Sequence, residues 1–198
     1  MELLLQNLTK LTRLTQSELV PLLDYFLPLT ARSNTTLLSP GVVASKVWFI
    51  GSGILRSFYF IEEKKRKLGE DEPMREVTNW IVPAGGFLTD VRSFLNQTTC
   101  TYYIEALEAS RLYSLSFDNY LTIQRTQPEF SRAIFENTLI MADLRVQMCN
   151  LRYSEDRRAM FENMYPGMTA RLSVNIQASY LNIDPTTLSR LRSKRSKK

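Results

Sequence analysis

Hydrophobic residues recur at two different periods along the chain, which divides it into helical ends and a strand-rich middle. Near the start, Leu19, Leu22, Leu23 and Phe26 fall at helical spacing within residues 15–27. Apolar residues at this spacing cover one face of a 3.6-residue helix. The pattern therefore predicts an amphipathic helix over residues 15–27.

Strand patterns fill the middle of the chain. Residues 46–61 are rich in β-branched and aromatic side chains and are interrupted by Gly51-Ser52-Gly53, which predicts a hairpin. Further strands are predicted at 75–82, 101–108 and 111–117, with a turn at 83–86. The charged stretch 62–74 predicts a solvated loop. Several short strands separated by turns are typical of a small β-sandwich or barrel.

A long helical pattern follows, over residues 128–151. Its heptad seam consists of Phe130, Ile134, Asn137, Met141, Leu144, Met148 and Leu151. A heptad repeat indicates a partner helix, here one from an identical subunit, although a long helix packed on its own domain produces a similar pattern. Asn137 is the polar residue of the seam, and the off-seam residues Phe135, Leu139, Ile140 and Val146 are expected to face the sheet.

The last 25 residues combine a short helix, a turn and a second helix. Ile176 to Leu181 predict the first helix, Asn182 suits a left-handed turn position, and Ile183 is an apolar plug. Asp184 is then a good N-cap and Pro185 a good first helical residue. This arrangement predicts a helix-turn-helix, whose second helix fits the major groove of DNA, although an ordinary helical hairpin with a basic exterior has the same outline.

Positive charge is concentrated at this end of the chain. Lys and Arg number ten against four Asp and Glu in residues 151–198, but fifteen against sixteen in residues 1–150. The chain ends RLRSKRSKK. A basic end serves phosphate backbones, anionic lipid or solubility, and the adjacent helical pair favours DNA among these.

Composition excludes several classes of protein. The 198 residues contain no histidine, which excludes Ser-His-Asp and Cys-His catalysis and most zinc and haem sites. Two cysteines do not form a disulfide framework and fit a reducing compartment. Cys100 is expected to be a small buried hydrophobe, and Glu105 and Glu108 are expected at the surface. We find no signal peptide or bilayer-spanning run and therefore expect a cytoplasmic protein that is not an enzyme and holds no metal.

The order of these parts resembles the Crp/Fnr family of bacterial transcription regulators. The most specific piece is QASYLNIDPTTLSRLRSK, which is similar to the family's Ala-x-x-Leu-x-Ile-x-x-x-Thr-Leu-Ser-Arg form. The segment GGFLTDVRSFLNQTTCTYYIEAL resembles the family's ligand cassette. The resemblance implies an α+β fold: an N-terminal double-stranded β-helix (β-roll or jelly roll) at 1–127, a dimerisation helix at 128–151, and a C-terminal winged helix-turn-helix at 152–198.

The ligand cassette departs from the members that bind cyclic AMP. Their Gly-Glu pair for the ribose falls on Thr89-Asp90, and their Arg-Ser/Thr pair for the phosphate falls on Cys100-Thr101. A cysteine cannot replace a guanidinium that neutralises a buried phosphate. We therefore do not expect cyclic AMP and leave the small-molecule effector open. The candidate pocket residues are Phe87, Thr89, Asp90, Cys100 and Thr101.

The resulting prediction is a homodimeric regulator that reads a palindromic site in double-stranded DNA. Arg190 would read a base edge, Thr186, Thr187 and Ser189 would contact bases or phosphates, and Arg192, Lys194 and Arg195 would neutralise backbone charge. The resemblance leaves RNA polymerase open as a further partner. The alternative hypothesis is a ligand-sensing module that signals through a protein partner.

Overall fold

The fold is described from a computed structural model that covers residues 1–62 and 74–195. The loop predicted at 62–74 lies almost entirely outside these described residues. The chain divides into two compact units. The first comprises Met1–Ser57 and Ile81–Ile140, and the second comprises Phe58–Trp80 and Met141–Lys198. The three-part division predicted at residues 127 and 151 stays a prediction beside this one.

Helices flank a run of strands, as the change of hydrophobic period predicts. The helices are α1 (Glu2–Leu11), α2 (Gln16–Leu19), α3 (Val91–Asn96), α4 (Phe117–Thr126), α5 (Pro128–Asn150), α6 (Ser154–Met164), α7 (Val174–Leu181) and α8 (Pro185–Arg195). The strands are β1 (Phe26–Ala31), β2 (Thr36–Leu38), β3 (Lys46–Ser52), β4 (Ile54–Glu62), β5 (Met74–Pro83), β6 (Phe87–Leu88), β7 (Tyr103–Ala106) and β8 (Ser110–Ser116). Short 3₁₀ helices occupy Val20–Tyr25 and Met168–Ala170. The predicted α+β class is confirmed.

The strands form two four-stranded sheets with the orders β1-β8-β3-β6 and β2-β7-β4-β5. The hairpin predicted over 46–61 is therefore wrong, because β3 and β4 follow one another in sequence but lie in different sheets. Gly53 joins them with a φ of +100°. Only glycine adopts this conformation without strain, and a Cβ there would lie 2.1 Å from the Ser110 hydroxyl. The Gly-Ser-Gly segment is a corner between sheets.

The helix predicted over residues 15–27 is wrong in its second half. Helix α2 ends at Leu19, a 3₁₀ helix with Pro21 in its first turn continues to Tyr25, and Phe26 begins β1. Strand β1 pairs antiparallel with β8, with Phe26 opposite Leu115. The predicted buried residues are nevertheless correct, since Leu22, Leu23 and Phe26 are all buried.

The two units have separate cores. In the first, Phe49 and Ile50 of β3 and Leu55 of β4 are fully buried. Phe26 packs edge-on against Phe130 with ring centroids 6.0 Å apart. In the second, Phe161 and Tyr180 are fully buried. No strand follows β8 among the described residues, so the predicted wing is missing from the part of the C-terminal unit that the structure describes.

Candidate nucleic-acid interface

The turn between α7 and α8 has the local geometry that its sequence predicts. Asn182 takes the left-handed conformation, with φ 52° and ψ 50°. Its N–H donates to the Ser179 carbonyl at 3.2 Å, and the Ile183 N–H donates to the Ala178 carbonyl at 3.0 Å. These bonds satisfy carbonyls at the end of α7 and turn the chain sharply toward Asp184.

Asp184 begins α8 as predicted. Its carboxylate accepts hydrogen bonds from the Thr186 N–H at 2.8 Å, the Thr187 N–H at 3.4 Å and the Thr186 hydroxyl. These bonds, those from Thr186 first, lower the pKa of Asp184 below its usual range. Because the carboxylate occupies these backbone donors, they are not free to bind a ligand at this end of α8.

A side chain from α6 holds the same turn. Arg157 donates from Nη1 to the carbonyls of Leu181 at 3.1 Å and Asn182 at 2.7 Å. Gln177, buried in α7, donates to the carbonyls of Thr169 and Leu172, each at 2.8 Å. Sequence reasoning missed both residues, and nothing in their local pattern distinguishes them from surface polar residues. Arg157 thus holds the turn between α7 and α8, and Gln177 holds α7 to the segment that precedes it.

An aromatic cluster forms the base of the helical pair. Tyr180 lies 5.6 Å from Phe161 and 6.4 Å from Tyr165, measured between ring centroids. The Arg145 guanidinium from α5 stacks 4.0 Å above the Tyr180 ring. Burial raises the pKa of both tyrosines, so their hydroxyls stay protonated at neutral pH. The cluster joins Arg145 of α5 and Phe161 of α6 to Tyr180 of α7, the helix that precedes α8.

Helix α8 has one buried and one open side. Leu188 is buried, Thr187 is half-buried, and Thr186, Ser189 and Arg190 are exposed. The Arg192 guanidinium donates to the Thr169 carbonyl at 3.2 Å and so bonds within its own unit, while its predicted role in backbone neutralisation stays a prediction. The structure does not describe the side chains of Lys194 and Arg195, so their predicted neutralisation of backbone charge stays a prediction.

The predicted ligand-pocket residues are mostly buried and engaged in structural bonds. Phe87, Thr89, Asp90 and Cys100 are buried, whereas Thr101 is exposed. The Thr89 hydroxyl donates to the Lys46 carbonyl at 2.8 Å. Asp90 caps α3 by accepting from the Ser93 N–H at 3.0 Å. The structure thus brings four of the five predicted residues into the interior and leaves Thr101 outside.

Cys100 behaves as the small buried hydrophobe that its sequence context predicts. Its thiol donates to the Ser39 carbonyl at 2.9 Å. Burial raises the pKa of the Cys100 thiol, and the charge of Asp90 raises it further. A thiol in this state is a poor nucleophile and carries no charge that could meet a phosphate.

Glu105 is not a surface residue, contrary to expectation. Its carboxylate accepts from Arg56 Nε at 2.6 Å, and the two side chains are only 14 % and 7 % exposed. Arg56 lies on β4 and Glu105 on β7, which neighbour one another in the second sheet. Their separation of 49 residues explains why the sequence did not connect them.

The predicted dimer seam needs correction. Phe130, Ile134 and Met148 are buried within the chain itself, at 0, 1 and 0 % exposure. The off-seam residues Leu139, Ile140 and Val146 do not face the sheet but are 70, 60 and 57 % exposed. Helix α5 is apolar on two faces, and the predicted heptad followed the face that packs on its own chain. The remaining predicted seam residues Asn137, Met141, Leu144 and Leu151 are half-buried.

The described residues contain no group of three or more His, Cys, Asp or Glu side chains that could hold a metal ion. None of their helices combines the length and the apolar character needed to cross a membrane.

Sequence comparison finds no matching protein-family model and no matching curated protein. Comparison of folds finds FixK2 from Bradyrhizobium japonicum at 15% identity and TM-score 0.67, covering 85% of this chain and 83% of that one. It also finds the c-di-GMP-responsive regulator CLP of Xanthomonas campestris at 16% identity and TM-score 0.64, covering 91% of each chain. A CooA mutant from Carboxydothermus hydrogenoformans matches at 18% identity and TM-score 0.62, covering 89% of this chain and 79% of that one. These neighbours are Crp/Fnr regulators, and the predicted likeness is confirmed at the level of the fold.

Proposed function

We propose that this chain, which shares the fold of the Crp/Fnr regulators, binds double-stranded DNA as a homodimer and regulates transcription. The observation that carries the proposal is the outer side of α8, where Thr186, Ser189 and Arg190 are exposed above the buried Leu188. A helix presented in this way fits the major groove of B-form DNA. The excess of positive charge in residues 151–198 supports a polyanionic partner.

The side chains of α8 divide into two roles. Arg190 reads a guanine, because a guanidinium donates two parallel hydrogen bonds to the guanine edge. The hydroxyls of Thr186 and Ser189 contact phosphates or base edges and fix the register of the helix on the duplex. Lys194 and Arg195 add backbone neutralisation on the basis of sequence alone. Arg192 is left out of this set because it bonds within its own unit.

Dimerisation uses the exposed face of α5 rather than the predicted seam. The corrected seam, defined as Leu139, Ala142, Val146 and Cys149, has spacings of three, four and three residues. Phe135 is left out because its ring packs within the chain, 5.7 Å from the Tyr120 ring between centroids. Leu139 and Val146 are 70 and 57 % exposed, and Cys149 is also exposed. Exposed apolar residues in a heptad repeat form the contact line of a two-stranded coiled coil. A second copy of α5 covers them in the proposed dimer.

We do not expect cyclic AMP to be an effector of this protein. The position of the phosphate-binding arginine is taken by Cys100, whose thiol is neutral, while Arg56 is already paired with Glu105. Burial of a cyclic phosphate without a cation would cost several kcal/mol.

Selection from a random pool of duplexes tests the proposal, and we expect a two-fold symmetric consensus. Arg190→Ala should then lower affinity for that consensus by about 10- to 100-fold, equivalent to about 1–3 kcal/mol, and relax the preference at one base pair. Affinity for unrelated duplexes should change little. Arg125→Ala removes an equal charge from an exposed position in α4 and should leave the consensus affinity unchanged. A uniform loss over all sequences, or no loss, would contradict the role of Arg190.

A further inference from the structure

Thr186, on the exposed side of α8, has its hydroxyl hydrogen committed to one partner. Its Oγ1 donates to Asp184 Oδ1, the oxygen that also accepts from the Thr186 N–H at 2.8 Å. The hydrogen bonds from Thr186, its hydroxyl first, lower the pKa of Asp184 below its ordinary value and keep the carboxylate ionised at neutral pH. An ionised carboxylate has no hydrogen to donate in return. The Thr186 hydroxyl hydrogen therefore points toward Asp184.

This bond decides what Thr186 can offer to a duplex. A hydroxyl carries one hydrogen and two lone pairs, so a hydroxyl that rotates freely both donates and accepts. With its hydrogen on Asp184, the Thr186 side chain presents only acceptor lone pairs and a methyl group. Phosphate oxygens take hydrogen bonds from hydroxyl donors, and Thr186 has no hydrogen left for them. A base edge that donates suits this hydroxyl, whereas a phosphate does not.

The four bases differ in this respect in the major groove. Adenine and cytosine present an amino group, at N6 and N4, whereas guanine and thymine present a carbonyl oxygen, at O6 and O4. A freely rotating hydroxyl serves either kind of group, which is why threonine alone carries little base preference. A hydroxyl that only accepts forms a bond with the amino bases and places two acceptors together at the keto bases. Its fixed orientation thus creates a preference.

We propose that Thr186 reads an amino-bearing base, adenine or cytosine, in the half-site, and that Asp184 is the positioning residue that gives it this preference. The inference rests on the proposed function and deepens it by naming the class of base. Thr186 and Arg190 are exposed and lie four residues apart, about 6 Å along the axis of α8. This distance exceeds the rise of about 3.4 Å per base pair, so the two side chains reach different base pairs.

Binding to duplexes in which each base pair of the selected consensus is replaced by the other three tests the reading. One position should favour adenine or cytosine over guanine or thymine on the same strand by about tenfold, the usual effect of one mismatch. Thr186→Val replaces the hydroxyl with a methyl group of similar size and should reduce this ratio to about twofold or less. The guanine preference due to Arg190 should remain. A consensus in which no amino-base preference depends on Thr186 would overturn the inference.

Asp184→Gly separates the role of Asp184 from that of Thr186. Glycine is tolerated at an N-cap at little cost, and it removes the partner of the Thr186 hydroxyl. The freed hydroxyl can donate to keto bases, so affinity for them should rise about fivefold relative to the amino bases. Loss of a negative charge strengthens binding to all duplexes alike, and a fraction of unfolded protein weakens it alike, so the ratio is the measured quantity. An unchanged ratio would overturn the positioning role.

Three matched variants serve as controls. Thr186→Ser keeps the hydroxyl, and Asp184→Asn keeps the accepting Oδ1, so both should retain the wild-type ratio. Loss of the ratio in Thr186→Ser would assign the preference to the methyl group and overturn the inference. Thr122→Val makes the same change at an exposed position of α4 and should leave every affinity unchanged.

A measurement without DNA tests the hydrogen bond itself. Carbon-detected NMR titration of the full chain follows the Asp184 carboxyl in the wild type and in Thr186→Val. Loss of the hydroxyl bond should raise the pKa of Asp184 toward its ordinary value, and an unchanged pKa would overturn the inference. A wild-type chain that selects no consensus would overturn the proposed function and the reading with it. A consensus that is indifferent to Thr186 would overturn the reading alone.

Discussion

At the scale of single residues, the sequence predicted interactions that span a few positions and missed those that span many. Asn182 in the left-handed region and Asp184 at the start of α8 follow from local backbone chemistry, and both are confirmed. Arg157 and Glu105 were missed because their partners lie 24 or more residues away. The chemistry of an isolated Glu or Arg is the same whether it meets water or a buried partner. Only the fold decides between the two.

The buried pair of Arg56 and Glu105 gives a prediction at this scale. Glu105→Ala leaves the Arg56 charge buried without its carboxylate and should lower the free energy of unfolding by about 3 kcal/mol. Replacing both, as Arg56→Met with Glu105→Leu, should recover most of the loss because no buried charge remains. Urea denaturation at neutral pH measures both changes.

A surface pair supplies the control for this prediction. Glu129 and Arg132 lie 4.0 Å apart with side chains 42 and 58 % exposed. Exposed pairs contribute little, so Glu129→Ala should change the free energy of unfolding by less than about 0.5 kcal/mol. If Glu105→Ala lowers the free energy of unfolding as little as Glu129→Ala does, the buried pair of Arg56 and Glu105 contributes no more than a surface pair.

At the scale of elements, the sequence predicted most strands and helices but not always their partners. Enrichment in β-branched and aromatic residues marks β3 and β4 as strands, yet it carries no information on which sheet each joins. The same difficulty affects α5. Its length, 23 residues, agrees with the prediction, but a helix with two apolar faces satisfies more than one heptad register. Phe130 and Met148 are buried in the chain itself, whereas Leu139 and Val146 are exposed, and the heptad pattern alone did not distinguish the two faces.

The corrected seam is tested by placing a charge in it. Leu139→Lys removes an apolar side chain from both sides of the dimer contact and should weaken self-association by at least about 100-fold, equivalent to about 3 kcal/mol. Analytical ultracentrifugation over a concentration series measures the change. Gln147→Lys adds the same charge at an exposed position of α5 beside the seam and should leave association intact. A dimer that tolerates Leu139→Lys would place the interface elsewhere.

Cys149 reports whether the two helices run parallel. In a parallel pair, equivalent seam positions face each other across the two-fold axis, close enough for a disulfide. Copper phenanthroline with dissolved oxygen should therefore oxidise two Cys149 thiols to an intermolecular disulfide, visible as a covalent dimer on a non-reducing gel. Cys149→Ser should abolish the band, since Cys100 is buried. Absence of a cross-link in a chain that is dimeric by ultracentrifugation would indicate antiparallel packing.

At the scale of the whole molecule, the order of parts along the sequence was enough to predict the fold, although relatives with this fold are no more than 19% identical among those compared. What survives such divergence is the pattern of apolar positions and turn residues, which the packing of each element requires. The ligand chemistry does not survive in the same way. Ligand chemistry depends on single side chains such as Cys100, which can differ between proteins of one fold without any effect on the strands that carry them.

The spacing of the two DNA half-sites tests the dimer and the interface together. Two α8 helices related by a two-fold axis read half-sites one helical turn apart, about 34 Å. Insertion of five base pairs at the centre turns one half-site to the opposite side of the duplex, and affinity should fall at least about 100-fold, to that of one half-site. Insertion of ten base pairs returns both half-sites to the same side of the duplex but doubles the distance between them. A dimer with a rigid seam should therefore not regain the lost affinity. Leu139→Lys, as a monomer, should bind all three duplexes with equal, weak affinity. A wild-type chain that also ignores the spacing would read DNA without a fixed dimer.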